Sequence, residues 1–250
     1  MPIDHPAAIA IITAAFFIAG FTKGVIGLGQ QAVALAFLVA TIGLTQAMAL
    51  IIIPSLVTNI WQSFTGGQLG VILRRIWGFL LAAKLAIPPG VFLLSRVDIG
   101  LLSAFLGVLL IIYALLGLIP IRMSVQRERE AWLGPAAGAL NGLFTGMTGS
   151  FVVPGVMYLQ AIGLPRDQFI QAMGLLFLAS TVALATALGN ANLLTGELAA
   201  ASALAVIPTL AGAYLGQIVR RRLSEQAFRR VFYVSLLILG IYIVARYVLR

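Results

Sequence analysis

Apolar residues fall into eight runs along the chain, at about 8–41, 46–65, 76–95, 99–120, 132–161, 168–190, 198–219 and 231–249, with most of the charge in the short stretches between them. Each run is near or above the ~20 residues that cross a hydrocarbon core. The pattern therefore predicts helices crossing a bilayer. The first and fifth runs are too long for one crossing, and both carry glycine clusters: GFTKGVIGLGQQ at 20–31, and Gly138, Gly142, Gly146 and Gly149. An interior glycine costs a helix about 0.5–1 kcal/mol relative to alanine, so each run is expected to form two short helices meeting at a break. Arms of about 15 residues would reach ~22 Å, enough for the bilayer midplane but short of a full crossing.

The clusters also mark a repeat. Gly20, Gly24 and Gly27 precede IGLT at 42–45, and the second cluster precedes IGLP at 162–165, an offset of about 120 residues. The expected organisation is one integral membrane domain, with an N-terminal transmembrane repeat at 1–121, a cytoplasmic linker at 122–131 and a C-terminal transmembrane repeat at 132–250. Arg74 and Arg75 follow the second run, whereas the matching GNANLLTGE has no Lys or Arg; Arg96 stands nearly alone after the third, whereas Arg220, Arg221, Arg222, Arg229 and Arg230 crowd its counterpart. Under the positive-inside rule, matching loops then lie on opposite faces. The fold class that follows is an all-α polytopic membrane protein of two inverted repeats of four hydrophobic segments each, the first segment of each repeat a glycine-broken helical hairpin. Arg246 and Arg250 would sit outside and oppose this topology.

Composition narrows the chemistry. With 61 % hydrophobic and 9 % charged residues, against a soluble average of roughly 25 % charged, the chain is read as multi-pass. The opening MPIDHP lacks the basic region of a secretory signal, so the first run is expected to be retained. A net charge of +9 sets topology and does not point to nucleic acid. No cysteine and one histidine, His5, leave no ordinary metal cluster, and no cofactor is expected. No Ser-His pair or buried acidic dyad is present, so an enzyme is not expected.

A break in lipid is tolerated where it lines an enclosed or watery cavity. The N–H groups that start the following half-helix favour an anion there. Lys23 lies in the first break, and Lys84, midway along the third run, is the secondary cation. Thr22, Gly24, Gly27, Gly29, Gln30 and Gln31 in the first cluster, and Asn141, Thr145, Gly146, Thr148, Gly149 and Ser150 in the second, are the expected substrate-binding positions. Asn59, Gln62 and Gln171 join them from the second and sixth runs. Their side chains offer donors to an oxyanion. Structural alternatives stand beside these readings: Lys23 snorkelling to an interface or buried without charge, Lys84 brought near an interface by Pro88 and Pro89, the glycines as small-xxx-small packing positions, Pro54 and Pro154 as kinks, and the amides and hydroxyls as interhelical ties.

At GFTKGVIGLGQQ, at PSLVTNIWQ (54–62) and at GLFTGMTGSFVVPGVMYLQAIGLPRD (142–167), the sequence resembles the TauE/SafE family of membrane permeases. The resemblance covers essentially the whole chain. It departs from a run of consecutive glycines common in the family at Gly27-Leu28-Gly29-Gln30-Gln31 and at Gly149-Ser150-Phe151. What it implies is export of sulfite, sulfoacetate or a related organosulfur anion, without naming which.

The expected function is export of a small anion by alternating access at a midplane site between the repeats, in the bacterial inner membrane, by a monomer or a homodimer. No carboxylate or histidine lies deep in a run to carry protons, so the membrane potential, about 2.3 kcal/mol per charge per 100 mV, is the expected drive. An anion-selective channel and a non-transporting scaffold are the alternatives.

Overall fold

A computed structural model describes residues 6–119, 124–220 and 224–249. Asp4, His5, Arg122, Arg221, Arg222 and Arg250, which entered the sequence argument, lie outside the described residues. Those residues form helices and connecting turns, with no strand among them: α1 (Pro6–Ile26), α2 (Gln30–Thr41), α3 (Leu44–Leu50), α4 (Ile52–Phe64), α5 (Leu69–Leu94), α6 (Ile99–Leu118), α7 (Glu130–Thr148), α8 (Gly155–Ala161), α9 (Arg166–Asn190), α10 (Gly196–Leu204), α11 (Val206–Arg220) and α12 (Glu225–Val248). Among the described residues, six stretches are long and apolar enough to cross a membrane: α1, α5, α6, α9, α10 with α11, and most of α12. The pair α3 and α4, bent by 43°, makes a seventh if counted as one span. The chain is all-helical and multi-pass, and each of the eight apolar runs corresponds to one helix or one broken pair.

The breaks fall inside the first and fifth runs, but not where the glycines first appear. α1 continues through Gly20 and Gly24 for 21 residues, and α7 through Gly138, Gly142 and Gly146 for 19. The second arms, α2 and α8, have 12 and 7 residues. At 1.5 Å per residue α1 is ~31 Å long, enough to cross. The equal arms of about 15 residues expected from sequence are thus corrected to one long and one short arm in each hairpin.

The helices cluster into two compact units, and each unit draws on both halves of the sequence. The first contains α1, α2, α3, the start of α4, α6, α10, α11 and α12; the second contains α4 from Ser55, α5, α7, α8 and α9. In the first unit α1 lies against α11, and a Cβ on Gly20 or Gly24 would overlap the backbone carbonyl of Thr209 or Ala213. The fit is mutual, since Gly212 and Gly216 meet the carbonyls of Phe17 and Phe21. In the second unit α7 lies against α5 in the same way, with Gly138, Gly142 and Gly146 on the carbonyls of Phe79, Ala83 and Ile87. The first segment of each sequence half therefore packs on the third segment of the other half. Backbone contact this close is what small residues provide between membrane helices, where lipid supplies no hydrophobic drive for association, and it offsets the weak helix propensity of glycine.

The bend between α3 and α4 has a local cause. Pro54 has no N–H to donate to the carbonyl of Leu50, four residues earlier. In the same unit, the Ser202 hydroxyl of α10 donates to that carbonyl at 2.8 Å and accepts from the Ile53 N–H at 3.0 Å. Pro88 and Pro89 do not end α5, which runs to Leu94. Arg246 of α12 donates to the carbonyl of Ala40 in the last turns of α2, at 2.6 Å. That gives this arginine a structural role independent of the sidedness argument it opposed.

Candidate functional site

The first break joins two helix ends of opposite polarity. α1 closes with Lys23 in its last turn, where a cation suits the exposed carbonyls. Gly27 (φ 78°) and Gly29 (φ 92°) then turn the chain in the left-handed region, and α2 starts at Gln30. These two glycines are used for backbone conformation, unlike those inside α1. A Cβ on Gly27 would meet nothing within 4 Å, whereas one on Gly29 would press on the Phe232 ring. No side chain caps α2, and the first N–H groups of a helix have no acceptor within the helix itself. Gln30 and Gln31, in its first turn, are buried at 1 % and 3 % exposure. The Gln31 Nε2 has no hydrogen-bond partner among the described residues. The donor-rich start of α2 is buried in protein.

The remaining positions of this cluster serve the fold. Thr22 donates to the carbonyl of Ile18 at 2.9 Å, and Gly24 packs on Ala213. Lys23 is half-buried.

The second break, in the second unit, is knit together by its own polar groups. Gly149 (φ 74°) ends α7. Thr145 donates to the carbonyl of Ser150 at 2.9 Å; Thr148 donates to the carbonyl of Phe144 at 2.7 Å and accepts from the Ser150 N–H at 3.2 Å. Asn141 Oδ1 accepts from the N–H of Gly155, the first residue of α8, at 2.9 Å. Its Nδ2, fully buried, has no partner among the described residues. Thr145 and Thr148 thus fold the break, and Asn141 keeps one donor in reserve. Gly146 packs on α5.

The other positions separate by role. Gln171 of α9 donates from Nε2 to the carbonyl of Ser63 at 2.9 Å and accepts at Oε1 from the Gln68 N–H at 3.2 Å, tying α9 to the end of α4 and the turn that follows. Gln62 donates from Nε2 to the carbonyl of Ile170 at 3.0 Å, and its buried Oε1 has no partner among the described residues. Asn59 is fully buried on α4 and accepts at its backbone carbonyl from Ser63. Lys84 is exposed on α5.

Two arrangements escaped the sequence reading. Arg75 of α5 holds Glu130, the first residue of α7, through two hydrogen bonds of 2.9 and 2.6 Å, and reaches the carbonyl of Ile162 at 2.8 Å. Glu130 had been placed in the linker; its pairing with an arginine 55 residues away leaves no local signature. Ser202 is the other. The signal that could have found it is the acceptor Pro54 leaves open, since a buried carbonyl needs a donor from somewhere.

No group of His, Cys, Asp or Glu among the described residues could hold a metal ion. No curated protein and no solved structure matches the chain significantly. A family model does: the one described as sulfite exporter TauE/SafE matches residues 12–243, nearly the whole chain. With its helices, its paired glycine breaks and that match, the chain belongs to the TauE/SafE sulfite exporter family, whose members are membrane transporters of the sulfur-anion exporter type.

Proposed function

We propose that this protein exports a sulfur oxyanion or a small organosulfonate from the cytoplasm, binding it at the start of α2 and releasing it by alternating access of the two sequence repeats. The observation that carries this reading is the buried first turn of α2, which no side chain caps and where the Gln31 amide nitrogen has no partner among the described residues. Such a site replaces the hydration of an anion and is matched poorly to a cation. Lys23, one turn before the break, adds a positive charge that steers an anion toward it. The Asn141 Nδ2 at the second break is a further donor of the same kind. Loop charges and the reciprocal helix pairing support inverted repeats.

Membrane potential suffices as the drive. Interior-negative voltage favours exit of each negative charge by about 2.3 kcal/mol per 100 mV, and the seven acidic residues sit in or beside loops and the N-terminus, leaving no carboxylate midway along a span to carry protons.

The test is flux from proteoliposomes loaded in turn with sulfite, sulfate, thiosulfate, sulfoacetate, acetate and chloride, with the native chain and Lys23→Gln. Sulfite or an organosulfonate should leave fastest, with at least a tenfold loss in the variant. Equal flux for all six anions, or a variant as active as the native chain, would refute the reading.

A further inference from the structure

Where α6 ends and α12 begins, both within the first unit, a cavity of about 740 Å³ is lined by Gly117, Leu118, Gln226, Arg229, Arg230 and Val234. Among the described residues its polar groups are two guanidiniums and a carboxamide, and all three side chains are exposed. Its inner wall is closely packed. Gly117 abuts the Tyr233 ring so closely that a Cβ there would overlap it, and Tyr233 packs edge-on against Tyr113 with centroids 5.3 Å apart.

The surface leading from the cavity is graded. Gln226, Arg230, Val234 and Ile238 recur every four residues, so they stand in one stripe along α12. The stripe passes from amide to guanidinium to two exposed apolar side chains. On α6, Leu115, Ile112 and Val108 are exposed in the same way above Leu118. Both helices are long and apolar enough to cross a membrane, and the cavity lies at the end of each.

We propose that this cavity seats the headgroup of an anionic phospholipid, with its acyl chains along the apolar part of the stripe. Guanidinium forks match a phosphate through paired, charge-assisted hydrogen bonds. A basic pocket at the end of membrane spans lies at headgroup depth, and the loop charge places this end on the cytoplasmic side, where anionic lipids attract basic residues. A small soluble anion would use the arginines alone. The apolar continuation below them favours a ligand that carries hydrocarbon.

The experiment is lipid titration of the purified full chain, followed by native mass spectrometry and by thermal shift, with phosphatidylglycerol, phosphatidylcholine, inorganic phosphate and sulfite. The native chain should bind phosphatidylglycerol at least tenfold more tightly than phosphatidylcholine. Arg229→Gln with Arg230→Gln should weaken that binding at least fivefold, whereas Arg74→Gln with Arg166→Gln, the same change in charge elsewhere, should alter it less than twofold. Val234→Trp, which narrows the apolar side without changing charge, should weaken it at least threefold. Equal losses in the two double variants would reduce the effect to general surface charge and overturn the proposal. So would a shift by phosphate or sulfite as large as that by the lipid, or full lipid binding by Val234→Trp.

Discussion

The hydroxyl of Ser202 donates to the carbonyl of Leu50 at 2.8 Å, supplying the hydrogen bond that Pro54 cannot make within its own helix. One serine on α10 therefore holds the bend between α3 and α4, since it also accepts from the Ile53 N–H. Ser202→Ala would leave a buried acceptor without its donor, a loss of about 1–3 kcal/mol. Pro54→Ala restores an N–H in register with Leu50, so Ser202→Ala should cost at least 1 kcal/mol less in that background, by the usual coupling between residues sharing an interaction. Thermal unfolding of the four proteins of this cycle in detergent measures it. Strict additivity of the two changes would show that serine and proline act independently.

Helical glycines should divide into two classes when replaced by alanine. Gly24→Ala and Gly142→Ala place a methyl on the carbonyls of Ala213 and Ala83, and the helices must part. Overpacking of this kind costs about 1–3 kcal/mol. Gly70, in the first turn of α5, has nothing within 4 Å of a Cβ, so Gly70→Ala should be neutral or stabilising by less than about 1 kcal/mol. Melting temperatures, with the yield of monodisperse protein, separate the classes; a drop at Gly70 as large as at Gly142 would contradict the packing argument.

Stability and transport should move apart at Gln31. Its Nε2 is buried without a partner among the described residues, so Gln31→Leu, similar in volume, removes a desolvated donor and should leave the melting temperature unchanged or raised. If the start of α2 holds the anion, the same substitution should lower export by about tenfold or more, the loss of one hydrogen bond to a charged group at about 1.5–3 kcal/mol. Flux and melting are measured on the same preparation. Falling stability with intact flux would make Gln31 a structural residue.

Residue pattern alone determined that the chain is a multi-pass, all-helical membrane protein with eight apolar runs, and that the first and fifth of them break at glycines. Those features are local: run length is set by bilayer thickness, and a break needs backbone that no β-carbon obstructs. Tertiary structure decided which glycines break a helix and which join two. Gly24 and Gly27 carry the same intrinsic cost in a helix, and what separates them is the α11 backbone against Gly24 and the left-handed φ at Gly27. It also decided which polar residues retain a donor. Gln171 reads in sequence much like Asn141 and Gln31, but the Ser63 carbonyl and the Gln68 N–H brought close by folding satisfy it, while one amide nitrogen on each of the others has no partner among the described residues. A hydrogen bond depends on where its partner lies in space, so residues far apart in the chain, such as Arg75 and Glu130 or Ser202 and Leu50, meet without any local pattern to announce them.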